Sequence, residues 1–256
     1  LILALFIILM IVLLLLVRAA MQLFRVSRLK TEFVANVSHE IKTPLATIRL
    51  ATDSLRLNRL KDPESMQRVV GIINEEAERL DYLIHNLLDF SQLETGRKKY
   101  NRRAIPIEVL WELLSAFALK QAGAHLELEC KKLDTCKVDV DPKAIEQALA
   151  ILIDNARKYG EGDQRLLLGA DMKRNQFRVY LRDFGPGIAA KDQKIIFEKF
   201  VRIGNLEEHN VKGHGIGLSI ARAIIKDHDG VLELKSAAGE GATFSICLPC
   251  IQELVQ

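Results

Sequence analysis

"FRVYLRDFGPGIA" (Phe177–Ala189) alternates as a strand and then breaks into glycines. Phe177, Val179, Leu181 and Asp183 have the same parity, so a strand puts them on one face. A carboxylate in line with three apolar side chains points inward, where it needs a hydrogen-bond partner. The exocyclic amino group of adenine is one such partner. Gly185 and Gly187 follow at once and let backbone approach a ligand closely. Alone, this pattern also describes an ordinary turn, so the surrounding chain decides it.

Downstream, "KGHGIGLSIARAII" places Gly213, Gly215 and Gly217 just before a helical stretch. Glycine amides and a helix N-terminus together suit phosphate. "GEGATF" (Gly239–Phe244) adds a glycine turn before a strand. Upstream, "DPKAIEQALAILIDNARKYG" (Asp141–Gly160) reads as a helix capped by Asp141 and Pro142 and ended by Gly160. Asn155 sits at the edge of its apolar stripe of Ile145, Leu149, Leu152 and Ala156. An amide oxygen there suits Mg²⁺ carried by phosphates, and Lys158 suits a phosphate as a point charge. "HLELEC", "RLLLGAD", "VLELKS" and "ATFSICLP" read as further strands. Strands mixed with helices around a partly antiparallel sheet predict an α/β sandwich within an α+β multidomain chain.

The first half of the chain has a different rhythm. "FVANVSHEIKTPLATI" (Phe33–Ile48) is an amphipathic helix. At 100° per residue His39 lies opposite Val37 and Ile41, so it faces water if those two face a core. Thr43 lies one turn along on the same face, and Glu40 flanks the ring. An exposed imidazole beside a carboxylate can act as a nucleophile, and spacing alone equally describes a solvated pair on a surface helix, so the rest of the chain decides. Pro44 removes a backbone N–H and favours a bend there. Met66, Val70, Ile73, Ala77, Leu80, Ile84 and Leu87 then follow three- and four-residue steps, after an Asp62–Pro63 helix start. A hairpin of two such helices leaves an apolar stripe uncovered, which predicts a dimer forming a four-helix bundle.

The first seventeen residues carry no polar side chain, and Arg18, Arg25, Arg28 and Lys30 follow. This predicts the end of a transmembrane helix at 1–17, with later residues cytoplasmic. A formal charge of +3 and the absence of a basic run with aromatics argue against nucleic acid. Cys130, Cys136, Cys247 and Cys250 are then expected as free thiols, with "CLPC" lacking the partners of a zinc or redox site.

Together these elements resemble the sensor histidine kinases of bacterial two-component systems. "SHEIKTPL" looks like their H box, "DNARKY" the end of the N box, "DFGPGI" the G1 box, "IFEKF" the F box and "GHGIGL" the G2 box. With "GEGATF" these motifs occur in the family's order, and the resemblance covers about residues 24–250. With the apolar run at 1–17 read as a transmembrane helix, it implies a juxtamembrane and phosphotransfer hairpin at 18–97, a linker at 98–103, an ATP-binding domain at 104–250 and a tail at 251–256. It also implies a homodimer in the inner membrane, with ATP and Mg²⁺ as cofactors and a response regulator as partner.

By the resemblance His39 is the phospho-accepting residue, Glu40 its acid/base partner and Thr43 the group that positions water in dephosphorylation. Asn155 binds Mg²⁺ and Asp183 binds adenine. Lys158, Tyr159, Gly185, Gly187, Ile188, Arg202, Gly213, His214, Gly215, Ile216, Gly217, Leu218 and Thr243 line the nucleotide, and Ile188–Lys212 is the lid. One departure is Ile151, where the family's N box opens with asparagine. A nucleotide-hydrolysing machine of the same superfamily would use a glutamate at that place, which isoleucine cannot replace. An inert binding module would have lost His39, Asn155 or Asp183, and all three are present.

Overall fold

The structure is a computed structural model and describes the chain except residues 1, 58–61, 123–124, 161–164, 174, 202–214 and 252–256. It divides into two compact units, residues 1–83 and 84–256.

The first unit is helical. Helix α1 (Ile2–Arg56) runs through Pro44 without ending, and α2 (Pro63–Glu94) begins there and continues into the second unit. Proline cannot donate to the Glu40 carbonyl one turn back, so the ladder misses one bond at the residue beside His39. Asp62 caps α2 by accepting from the Ser65 amide at 2.7 Å, as the "KDPES" start predicts. Along α2 the seam residues Met66, Val70 and Ile84 are exposed in the single chain. Ile2–Val17 is helical, and those of its large apolar side chains that are described are likewise exposed. Among the described residues no helix is long and apolar enough to cross a membrane.

The second unit is built on a five-stranded sheet in the order β2 (Leu126–Cys130), β4 (Leu166–Lys173), β5 (Gln176–Asp183), β7 (Ala242–Pro249), β6 (Val231–Ser236). β2 joins β4 in parallel and all other pairs are antiparallel, so β2 and β6 are the outer strands. Helices α3 (Ile107–Ala122), α4 (Pro142–Tyr159) and α5 (Gly217–Asp227) supply the second layer. A separate two-stranded pair, β1 (Arg103–Pro106) with β3 (Lys137–Val140), precedes α4.

Alternation explains the core. Phe177, Val179 and Leu181 of β5 are buried to 2% or less, as the strand reading requires. They share that core with Leu110 and Leu114 of α3, Ile145, Leu149 and Leu152 of α4, and Ile220 and Ile224 of α5. Burying each such side chain stabilises the fold by about 1.5–3 kcal/mol. The opposite face of the sheet is polar. Arg178 pairs there with Asp171 on the neighbouring strand, and the Tyr180 hydroxyl donates to Glu129 at 3.1 Å. The Tyr180 ring lies over its cross-strand partner Gly169, where an added Cβ would meet it at 2.1 Å.

Two cysteines depart from expectation. Cys136 and Cys250 form a disulfide across 114 residues of sequence, while exposed Cys130 and buried Cys247 are free. Cys136 ends the loop before β3 and Cys250 follows β7. The two cysteine Cα atoms are 5.9 Å apart, and beside them the amide of Ile251 donates to the Lys137 carbonyl at 2.7 Å. The three-residue spacing of "CLPC" is incidental: Cys247 lies inside β7 as a buried free thiol.

The segment after α2 is fastened as well. Lys98 donates to Asp89 and Gln147, and Arg102 bonds Asp139, the Asp227 carbonyl and Asp229. Tyr100 meets the buried His228 ring edge-on at 4.7 Å.

Candidate functional site

In the first unit the reading of α1 rests on exposure. His39 and Thr43 are exposed, Glu40 is half-buried and Pro44 is buried. The ring therefore faces water, as the 100° rotation requires. Thr43 Oγ1 donates to the His39 carbonyl at 3.2 Å, which parks its hydroxyl one turn from the ring.

In the second unit the site grows from the end of β5. Asp183 closes the strand, and its Oδ1 accepts from the Gly185 amide at 3.1 Å and the Ala242 amide at 3.0 Å. Two backbone donors on one oxygen fix the carboxylate plane. Its other oxygen has no partner among the described residues, so it is the acceptor on offer.

Glycine is required where this loop meets the β6–β7 turn. Gly187 has φ +69°, and an added Cβ would lie 1.9 Å from the Ala237 carbonyl oxygen. Gly241 has φ +75°, and an added Cβ would lie 2.2 Å from the Asp183 carbonyl oxygen. Polar side chains stitch the same seam. The Ile188 amide donates to Ser236 Oγ at 2.8 Å, and Ser236 Oγ donates to the Gly241 carbonyl at 2.7 Å. Gln193 Nε2 donates to the carbonyls of Ile188 and Ser236. Neither Ser236 nor Gln193 was signalled by a motif; their roles depend on two distant loops meeting.

Helix α4 supplies the wall. Asp141 caps it by accepting from the Lys143 amide at 3.0 Å, and Gly160 follows its end. Gly185 packs against that end, since an added Cβ would lie 3.0 Å from Gly160 Cα. Asn155 is half-buried, and its buried Nδ2 has no hydrogen-bond partner among the described residues. An orphaned amide there is unfavourable until a ligand satisfies it. Lys158 instead bonds Asp154 at 2.5 Å in a partly exposed pair. Tyr159 is 41% exposed. Ile151, one turn before Asn155, is 3% exposed and apolar, and its Cγ2 lies 3.2 Å from where a Gly217 Cβ would be.

Gly217 begins α5, with Ile216 buried before it and Leu218 half-buried within it. Gly215 precedes them, and its carbonyl accepts from the Phe200 amide at 2.8 Å. The "IFEKF" segment starts within a one-turn 3-10 helix (Ile195–Phe197), whose Phe197 meets Phe244 edge-on. Thr243 is half-buried in β7, opposite Arg182. Arg202, Gly213, His214 and the lid beyond Val201 lie outside the described residues.

A clamped carboxylate with one open oxygen, an orphaned amide and the start of a helix suit a purine nucleotide with its phosphates. Among the described residues no cluster of three or more His, Cys, Asp or Glu side chains exists to hold a metal. The orphaned Nδ2 of Asn155 is a donor, and it suits an acceptor such as a phosphate oxygen.

The two halves thus define a class: a helical phosphoacceptor hairpin followed by an ATPase sandwich. Residues 29–96 match the family model described as the His Kinase A (phospho-acceptor) domain. Residues 140–252 match that of the Histidine kinase-, DNA gyrase B-, and HSP90-like ATPase. The chain belongs to the sensor histidine kinases. It is 29% identical over 225 residues to Sensor protein SrrB of Staphylococcus aureus, covering 87% of this chain and 38% of that protein. Its fold is like that of Acinetobacter baumannii histidine kinase AdeS, with a TM-score of 0.59 and 24% identity over 84% of this chain and 98% of that one. It is also like histidine kinase ThkA in complex with response regulator protein TrrA, with a TM-score of 0.60 and 24% identity over 89% of this chain and 63% of that one. Full-length ShkA in complex with AMPPNP matches with a TM-score of 0.59 and 24% identity over 86% of this chain and 46% of that one. The chain spans 38% of the length of the curated relatives it matches.

Proposed function

We propose that this chain is the catalytic part of a membrane-bound sensor that phosphorylates its own His39 from Mg-ATP and passes the phosphoryl group to an aspartate of a response regulator. The observation that carries the reading is the Asp183 carboxylate, held by two backbone amides with one oxygen left to accept from adenine. The exposed imidazole of His39 is the acceptor that such a nucleotide needs.

A ring nitrogen of His39 attacks the γ-phosphorus, and the bond to the bridging oxygen of ADP breaks. Glu40 stands beside the ring to hold its other N–H and orient it. Asn155 would hold, through its side-chain oxygen, a Mg²⁺ that travels with the phosphates, which would supply charge neutralisation there. Ile151 offers no base for water, which favours transfer to histidine over hydrolysis. Catalysis is then positioning and charge neutralisation.

The reverse traffic uses Thr43, whose hydroxyl orients water during dephosphorylation of the regulator. ThkA in complex with TrrA supports a receiver domain as the partner class, and ShkA with AMPPNP supports an adenine nucleotide. The exposed seam of α2 supports a homodimer, in which a second hairpin covers Met66, Val70 and Ile84. The apolar run Ile2–Val17, followed by Arg18, Arg28 and Lys30, supports attachment to the inner membrane with the kinase units in the cytoplasm.

The test is labelling with γ-labelled ATP. The expected product is acid-labile and alkali-stable, as phosphohistidine is. It disappears in His39→Gln while nucleotide still binds. An acid-stable product, or normal labelling of that variant, overturns the reading.

A further inference from the structure

We infer that Cys136 and Cys250 form a reversible thiol–disulfide clasp that closes the end of β7 onto the start of β3. The pair joins residues 114 apart in sequence, and both are half-buried, open to a small thiol. Main-chain hydrogen bonds join the same two segments beside the sulfurs. Ile251 donates to the Lys137 carbonyl at 2.7 Å, and the Cys250 amide reaches the Asn175 carbonyl at 3.5 Å. Reduced thiols therefore stay opposite one another, which is what repeated closure needs. The adjoining segment also carries Lys131, Lys132 and Lys137 against Asp134, a net positive charge that attracts an anionic disulfide such as oxidised glutathione.

The elements it joins give the clasp its consequence. β7 begins at Ala242, whose amide holds Asp183. β3 leads through the Asp141 cap into α4, which carries Asn155. The covalent loop thus encloses both residues of the nucleotide pocket. The clasp itself lies at the opposite end of the sheet. Arg182 pairs with Thr243 near the pocket and Gln176 with Pro249 near the clasp, six residues or about 20 Å apart. Closure acts on the stability of the unit and leaves the chemistry of the pocket alone. Long closed loops remove the most freedom from the unfolded chain.

The exchange balances with a small-molecule disulfide as oxidant. One cysteine attacks it and expels one small thiol. The second cysteine attacks the mixed disulfide and expels the other. Two hydrogens and two electrons leave the protein, and the oxidant ends as two thiols. Excess small thiol runs the sequence backwards. None of this depends on the nucleotide reading.

The experiment equilibrates the whole chain in mixtures of reduced and oxidised glutathione. Free thiols are alkylated under denaturing conditions and counted by mass, and thermal unfolding is followed in parallel. The expected count moves reversibly between four thiols and the two of Cys130 and Cys247. The melting temperature should rise by about 5 °C or more on oxidation. Cys136→Ser and Cys250→Ser should each abolish that step, and Cys130→Ser should preserve it. A count that stays at two or at four in every mixture overturns the clasp. So does a melting step that survives in Cys250→Ser.

Discussion

The Asp183 carboxylate accepts a hydrogen bond from the amide of Ala242, fifty-nine residues away in sequence, at 3.0 Å. That bond joins the end of β5 to the first residue of β7, and the same oxygen also serves Gly185. The pocket is thus anchored on its own floor before any ligand arrives.

Asp183→Asn tests this floor. The amide keeps the shape but loses the charge behind both backbone bonds and the open acceptor. Charge-assisted hydrogen bonds contribute about 1.5–3 kcal/mol, so ATP affinity should fall roughly ten- to hundredfold. Titration with a fluorescent ATP analogue reads this directly, and an unchanged dissociation constant would remove Asp183 from the pocket.

Thr43→Ala separates two activities. Its hydroxyl donates to the His39 carbonyl, a weak and exposed contact. Self-phosphorylation should persist, while dephosphorylation of the regulator should drop by about tenfold or more. Equal loss of both would show that Thr43 merely supports the helix.

Ser236→Ala unpicks the stitched seam. Its hydroxyl accepts from Ile188 and donates to Gly241, so truncation strands two part-buried backbone groups. The expected cost is about 1–3 kcal/mol of stability, read by urea unfolding of the isolated variant against the parent. Nucleotide affinity should weaken too, because the loop that carries Gly187 loses its tie. A variant as stable as the parent would mean the seam is held by backbone alone.

Leu149→Ala probes the core beneath α4. Leu149 is 1% exposed, and removing three carbons from such a site costs about 2–5 kcal/mol. A cost below about 1 kcal/mol would mean that the layer is loosely packed there.

The alkaline limb of stability should depend on Tyr180. Burial first, and then its hydrogen bond to Glu129, push the phenol from 10.0 up to about 12. A folded value above the unfolded one means that the contribution is complete below about pH 10 and is lost as pH rises through about 12. Tyr180→Phe should flatten that limb in thermal melts between these limits. A parallel fall in both proteins would assign it to other groups.

The strand ending in Asp183, the Asp141 cap of α4 and the water-facing His39 were all legible, because each rests on local periodicity or capping chemistry. The helix α3 was not expected, although Ile107, Leu110, Leu114 and Ala118 carry a helical period and are buried as one stripe. The β1–β3 pair has no local signal, since Arg103 finds its partner Val140 only through the fold. The Cys136–Cys250 bond was missed for the same reason, compounded by an expectation drawn from compartment instead of geometry. Lys158 shows a further limit: Asp154 one turn back competes for its charge, which spacing alone does not rank.

The two outer strands bear on behaviour at high concentration. Open β-edges invite pairing with other molecules, the first step toward fibrils. Here β2 presents Glu127 and Glu129, and β6 presents Glu233 and Lys235. A second copy laid in register along β2 would set carboxylate against carboxylate, so the charge pattern that decorates these borders also guards the protein against stacking on itself.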